Sequence, residues 1–456
     1  MRIERDSIGT REIPAGAYYG IGSLRGAENF QITGRKLHPE FVRALAEIKK
    51  AAALTNRAAG GLAEDRAAAI IEACDEIIGG GLRDSFIVDP IEGGAGTSMN
   101  MNANEVIANR AIELLSGAKG DYGIVHPNDH VNLSQSTNDV IPTAIKMTAI
   151  RLCEALEEEL RKLFISLLDK SIEFSDVIKI GRTQMQDAVP ISLGQEFFAY
   201  ADAVRRSIEN IDAAKNSLTI VNMGGTAIGT GINASEAYRS TIVPTLSALS
   251  GIELSAADNL IDSTQNADCF ASVSGTLKAC AAALSKIAND LRLLSSGPNA
   301  GFNEITLPKV QPGSSIMPGK INPVIPEVLN QTAFRVIGND VCITMAVEAG
   351  QLELNAFEPI IAYCLFESLD IMTAAVETFR KNCIVGIQAN SSNCLERLSK
   401  STGTVTALCP YIGYDKAACI AKRMLREKRS AKEIALEEGF LSEAELDEIL
   451  DPRRLI

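Results

Sequence analysis

The feature that most constrains this chain is a stripe of apolar residues at helical spacing: Ile145, Ala149, Leu152, Leu156, Leu160, Leu163 and Leu167. The steps are three or four residues, so one helix face stays apolar over about six turns, where three or four turns are usual. Asn138 or Asp139 can cap the start of this helix, and Pro142 fits only near its first turn. Four more segments read the same way: "GQEFFAYADAVRRSIENIDAAKNSL", "CFASVSGTLKACAAALSKIANDLRLLSSGP", "EVLNQTAFRVIGNDVCITMAVEAG" and "EPIIAYCLFESLDIMTAAVETFRKN". Each ends near Gly, Pro, Asn or Ser. Helices this long exceed what a small bundle needs to cover itself. They point to a mainly α fold whose central bundle is shared between subunits, with a single-chain bundle as the alternative.

The flanks differ. Up to residue 136 the chain mixes shorter helices with Gly- and Asn-rich loops, and "HPEFVRALAEIKKAAALTNRAAGGL" reads as a helix ended by Gly60 and Gly61. From residue 390 onward short helices return, and Ser430–Glu433 and Ser442–Glu445 both have capping-box spacing. The expected domains are therefore 1–136, a central long-helix domain over 137–389, and a small helical domain over 390–456.

Charge and composition remove several function classes. A formal net charge of −13 and the lack of a basic patch argue against a nucleic-acid partner. Ten cysteines form no Cys-x-x-Cys pair and sit in apolar stretches, so they read as small buried hydrophobes in a reducing compartment. The start, "MRIERDSIGT", has no apolar signal core. No run reaches the roughly 18 uninterrupted apolar residues of a membrane span, so the expectation is a soluble cytoplasmic protein. The three histidines are His38, His126 and His130, and Pro127 spoils a helical ligand pair between the last two. No metal centre is expected, and no phosphate-binding Gly-rich loop or Ser-His-Asp grouping is legible.

What remains is a set of polar loops. "GAGTSMN" offers Thr97; "SQSTND" offers Ser136, Thr137 and Asn138; "GRTQMQDAVP" offers Thr183 and Gln184. The fourth loop, "QPGSSIMPGKINP" over residues 311–323, interrupts a helix-prone region and carries Ser314, Ser315, Lys320 and Asn322. Hydroxyls, amides, glycine N–H groups and one lysine, with helix N-termini behind them, suit a carboxylate ligand. Taken singly, each loop is more often a cap or a turn.

"GSSIMPGKINP" resembles the signature of the aspartase/fumarase superfamily, and "GAGTSMNMNANE", "NDHVNLSQSTNDVIPTA", "GRTQMQDAVPISLGQE" and "GTAIGTGIN" resemble its other segments, in the same order. The resemblance runs from "RIERDSIGTREIPAGAYYG" to "GFLSEAELDEIL". "VIPEVLNQ" and "MAVEAGQLELN" are most similar to the branch that reversibly deaminates L-aspartate to fumarate and ammonia. The resemblance implies three domains, with four central domains packed into a D2 tetramer whose active sites each take loops from three subunits. It also implies that the fourth loop is a mobile lid. By resemblance Ser314 is the catalytic base, and Thr97, Ser136, Thr137 and Ser315 stabilise an aci-carboxylate intermediate. Lys320 and Asn322, with Thr183 assisting, would grip the α-carboxylate, and Asn138 and Gln184 would sit near the amino group. No cofactor is implied as required, and activation by a divalent cation is left open. No Ala-Ser-Gly tripeptide is present, so no self-made electrophile is expected.

Two positions depart from patterns seen in the superfamily. Fumarases carry a histidine where this chain has Gln184, and glutamine cannot relay protons, which favours C–N over C–O cleavage. Glu327, which aligns with a glutamate fumarases use, then reads as a structural partner. Leu133 stands where many members have lysine. The alternative activity is that of a class II fumarate hydratase, forming L-malate. A catalytically silent structural protein is the third reading, and the intact Ser314, Lys320 and Asn322 argue against it.

Overall fold

All five long segments are single helices in the computed structural model, which describes residues 1–454: Thr137–Glu173, Leu193–Lys215, Asp268–Leu294, Val324–Glu348 and Glu358–Asn382. The apolar stripe from Ile145 to Leu167 is buried throughout. Strands are few. Four two-stranded pairings make up the sheet content among the described residues.

The chain divides into two compact units. The first comprises Met1–Glu157, Glu209–Ala279 and Arg335–Ile371. Its Pro39–Ala58 helix starts where the His38 imidazole accepts the Glu40 N–H (3.2 Å) and Pro39 takes the first helical position. The helix ends in the turn where Gly60 adopts a left-handed φ of 76°. The buried Glu105 carboxylate, on the Thr97–Leu114 helix, accepts the backbone N–H groups of Gly20 (2.8 Å), Gly22 (2.7 Å) and Ser23 (2.9 Å). One carboxylate thus anchors the turn that opens the Ile21–Asn29 helix.

The start of the 37-residue helix Thr137–Glu173 corrects the expected cap. Asn138 and Asp139 lie inside its first turn, and Ser136 does the capping. Ser136 Oγ accepts the Asn138 N–H (3.2 Å), while Asp139 Oδ1 accepts the Ser136 N–H (2.9 Å). Pro142 falls in the second turn, so the carbonyl of Asn138 has no intrahelical donor. Asn222 Nδ2 supplies it at 3.0 Å. The orphan left by a proline thereby ties the helix to the 222–231 turn.

The second unit comprises Glu158–Ile208, Cys280–Phe334 and the chain from Met372. The segment read as a loop around Thr183 is a β-hairpin, Ile178–Thr183 against Gln186–Ser192. Its base is held by charge: Glu304 forms an ion pair with Lys179 (2.9 Å) and accepts from Arg182 (2.6 Å), and both Glu304 and Lys179 are buried. Near the end of the chain Val405, Leu408, Ile420, Met424, Ile434 and Leu446 form a small core of their own. Both capping boxes, at Ser430/Glu433 and Ser442/Glu445, are formed.

Six of the ten cysteines are buried, as expected of small apolar side chains, and Cys419 is exposed. By length and composition the stretch Glu358–Gly386 could cross a bilayer, but 61% of its apolar window is buried inside the protein. It is a core helix.

Removing Glu304 would leave Arg182 without its carboxylate and Lys179 with only Glu196. Glu304→Ala is expected to lower unfolding free energy by about 3 kcal/mol, as breaking a buried pair does. Urea titration of the two proteins checks this, and a change below about 1 kcal/mol would show that the cluster does not hold the hairpin.

Candidate active site

The candidate side chains fall into three groups of polar residues. The first is built at the mouths of two helices. Thr97 is the first residue of Thr97–Leu114, preceded by Gly94 and Gly96 in left-handed conformation (φ 98° and 86°). A side chain at Gly96 would place Cβ 2.9 Å from Ile141 Cγ1, so only glycine lets this turn close on the second turn of Thr137–Glu173. Thr97 Oγ1 donates to the Gly94 carbonyl at 2.6 Å and must rotate before it can donate elsewhere.

Ser136 and Thr137 line a cavity of about 350 Å³ together with Asn100, Asn132, Thr226 and Asn233. Thr137 Oγ1 accepts from Asn100 Nδ2 (3.2 Å). Asn138 is outside the lining, and its Nδ2 donates to the carbonyl of Ala227, which is part of it (2.7 Å). Beneath them the fully buried Asp139 carboxylate also accepts the N–H groups of Gly224 (3.2 Å) and Thr226 (3.0 Å). Burial pushes the Asp139 carboxyl up to about 6, against the pull of these donors. Burial likewise pushes the nearby Lys49 ammonium down to about 7.

Thr183 and Gln184 are exposed at the tip of the hairpin rather than at a helix mouth. Gln184 and Met185 both take positive φ (52° and 63°), the two-residue turn that favours Asn-Gly. Neither residue lines the cavity around Thr137, nor the one described next. Non-glycine residues held in this region mark a constrained turn.

The third group is the 311–323 loop, which closes on itself. Gly313 N–H donates to the Lys320 carbonyl (2.9 Å), and Asn322 Nδ2 donates to the Gly313 carbonyl (2.7 Å). A Cβ at Gly313 would lie 2.5 Å from that Lys320 oxygen. Ser314 Oγ accepts two backbone N–H groups, from Ile316 (3.2 Å) and Met317 (2.9 Å). Ser314 and Lys320 line one cavity of about 420 Å³, while Ser315 is exposed outside its lining. The loop rests on little else: Ile316 is 84% exposed.

A larger cavity of about 590 Å³, lined by Phe41, Phe86, Tyr363 and Phe366 with Arg35 and Arg83, contains none of these hydroxyls. Glu327 lies 3.7 Å from Arg292. Leu133 lines no part of the Thr137 cavity. A methyl at Gly61 would sit 3.6 Å from its Cδ2, so the side chain faces the end of the Pro39–Ala58 helix. His126 and His130 each spend Nδ1 on backbone N–H groups. Among the described residues no three His, Cys, Asp or Glu side chains converge as a metal site would require.

Comparison with known proteins gives the family of the chain. A lyase family model matches residues 9–338, and a model of the fumarase C C-terminus matches residues 405–456. An aspartate ammonia-lyase from Bacillus sp is 51% identical over 99% of this chain and 97% of its own. The chain belongs to the aspartate ammonia-lyase family. Members of that family are carbon–nitrogen lyases. The fold is similar to a Brucella melitensis structure described as fumarate lyase:delta crystallin bound to cobalt, with TM-score 0.97, 50% identity and 99% of each chain covered. A class II fumarase from Schistosoma mansoni has TM-score 0.95 over 99% of this chain and 98% of its own, but 36% identity.

One feature of this ammonia-lyase fold titrates. Glu92 Oε1 caps Thr97–Leu114 by accepting from Ser98 N–H (2.9 Å) and Met99 N–H (3.3 Å), while its buried Oε2 has no hydrogen-bond partner among the described residues. Burial pushes the Glu92 carboxyl up to about 7. The folded state therefore binds this proton more tightly than the unfolded state, and stability falls as pH rises from about 4.5 to about 7. Glu92→Gln, neutral throughout, is expected to remove roughly 2–3 kcal/mol of that fall in unfolding free energy. Denaturant titrations at pH 5 and pH 8 check this, and parallel pH dependence in both proteins would contradict it.

Proposed function

We propose that this protein catalyses the reversible deamination of L-aspartate to fumarate and ammonia, with Ser314 as the base. The observation that carries the assignment of the base is the environment of Ser314 Oγ. Two backbone N–H groups point at it, and Lys320 lines the same cavity. A serine hydroxyl is a weak base unless its oxyanion is stabilised, and these groups supply that stabilisation once water is excluded.

The ionised Ser314 oxygen takes the proton from the carbon next to the β-carboxylate. Electron density flows into that carboxylate, giving an aci-carboxylate with two negative charges. Thr97, Ser136, Thr137 and Ser315 are the proposed donors to it, each contributing a few kcal/mol in the transition state. Lys320, Asn322 and Thr183 hold the α-carboxylate; Asn138 and Gln184 face the amino group. The carboxylate electrons then return to form the double bond, and the C–N pair leaves with nitrogen. Because the amino group is already an ammonium, it departs as neutral ammonia and needs no acid. Gln184, which cannot donate a proton as a histidinium can, fits this cleavage better than loss of hydroxide.

The proposal includes a homotetramer in which each site draws loops from three subunits, around the three-domain division 1–136, 137–389 and 390–456. Support comes from the exposed face of Val324–Glu348: Phe334 (64%), Val341, Met345 (66%) and Gly338 recur at steps of three and four, the pattern of a seam awaiting a partner helix. A cytoplasmic location fits the ten free thiols. No cofactor is required in this scheme, and activation by a divalent cation stands as a separate question.

Incubation with fumarate tests the reading. Fumarate should be consumed only when ammonium is present, with aspartate as product, and Ser314→Ala should lower kcat on the order of 10²–10⁴-fold. Rapid malate formation without ammonium, or wild-type turnover in Ser314→Ala, would contradict it.

A further inference from the structure

We propose that Lys49 is a positioning residue that sets, through Asn132 and Asn100, the direction in which the Thr137 hydroxyl gives its hydrogen bond. The inference rests on the reading above that Thr137 donates to the substrate carboxylate.

Lys49 lies in the Pro39–Ala58 helix and is fully buried. Among the described residues its ammonium has one hydrogen-bond acceptor, Asn132 Oδ1 at 2.8 Å. The other end of that amide is fixed too, since Asn132 Nδ2 donates to the Gln135 carbonyl at 3.2 Å. While Lys49 is protonated, a flipped Asn132 would set donor against ammonium and acceptor against carbonyl, so only one orientation is allowed. Asn132 Oδ1 in turn faces Asn100 Nδ2 at 3.2 Å, and this contact requires the amide nitrogen rather than the oxygen.

The same Asn100 Nδ2 lies 3.2 Å from Thr137 Oγ1. An amide nitrogen cannot accept, so Thr137 Oγ1 must. Its hydrogen is then left for the cavity, where a carboxylate would meet it. Lys49 therefore determines, two amides away, that Thr137 presents a donor rather than a lone pair. Without Lys49, Asn132 is held only by its 3.2 Å bond to the Gln135 carbonyl; once it turns over, Asn100 can follow and Thr137 can spend its hydrogen on Asn100.

Stability does not account for a lysine here. A buried ammonium with a single neutral acceptor is costly, and a methionine of similar length fills the space without that cost. Asp139, the buried carboxylate whose charge acts on Lys49, already has three backbone donors.

The test measures dissociation constants for succinate, a dicarboxylate with no leaving group, by calorimetry on the full-length protein. The set is wild type, Thr137→Val, Lys49→Met and the double variant, with unfolding free energies alongside. Lys49→Met should be at least as stable as wild type yet bind succinate on the order of tenfold more weakly, the loss of one charge-assisted hydrogen bond. Thr137→Val should show a similar loss, and the double variant should be no worse than the weaker single one. Asn100→Asp, isosteric but able to accept the Thr137 hydrogen, should also weaken binding; its added charge repels a dicarboxylate by itself, so only a loss that shrinks in the Thr137→Val background counts, and that cycle decides the matter if Lys49→Met does not fold. Wild-type affinity in Lys49→Met or Asn100→Asp, or losses that multiply in either double variant, overturns the inference alone. Wild-type affinity in Thr137→Val removes the assigned role of Thr137 as well.

Discussion

A single buried carboxylate organises the rigid half of the chemistry. Asp139 accepts the N–H groups of Ser136, Gly224 and Thr226, and so joins the first turn of the longest helix to a glycine-rich turn far away in sequence. Folding removes this charge from water, and three convergent backbone donors offset part of that cost. The carbonyl orphaned by Pro142 adds a second tie to the same turn through Asn222. Ser136 and Thr137 owe their placement to these bonds. A helix mouth with fraying ends could not hold hydroxyls to the tolerance that transition-state stabilisation requires.

The serine assigned as base is held in the opposite manner. Ser314 sits in a loop whose hydrogen bonds are mostly its own: Gly313 to Lys320, Asn322 back to Gly313, and two N–H groups onto the serine oxygen. In the proposed mechanism such a loop keeps its internal geometry while it moves as a body. Segments that gate active sites are drawn from weakly anchored parts of a fold. Preorganised donors and a mobile base are complementary solutions. The first lowers the barrier, and the second lets substrate in before water is shut out.

Much of this could be read from residues alone, for physical reasons that differ by element. The five long helices were legible because a three-and-four apolar period has no other stable burial. The two capping boxes near the end were legible because the motif is local. Other features were hidden because their causes are nonlocal. Ser136 displaced Asn138 and Asp139 as the cap because Asp139 turns inward to a turn some 90 residues away. The hairpin carrying Thr183 and Gln184 was missed because its base depends on Glu304, over a hundred residues on. Asn100 and Asn132 were passed over as members of amide-rich stretches. An asparagine that must be buried on a helix face was the available signal, and only the cavity they line gives it meaning.

The proposed mechanism divides the labour: donors fixed on the helices of one subunit, and a base brought by the loop of another. Subunit hybrids test it most directly. Thr137→Val and Ser314→Ala chains carrying different tags would be co-expressed, and the mixed oligomers isolated through both tags. Each parent should be nearly inactive alone, and the hybrids should regain turnover because some sites combine an intact hydroxyl set with an intact loop. Hybrids that form but stay as inactive as their parents, while tagged wild-type oligomers survive the same procedure, would contradict it.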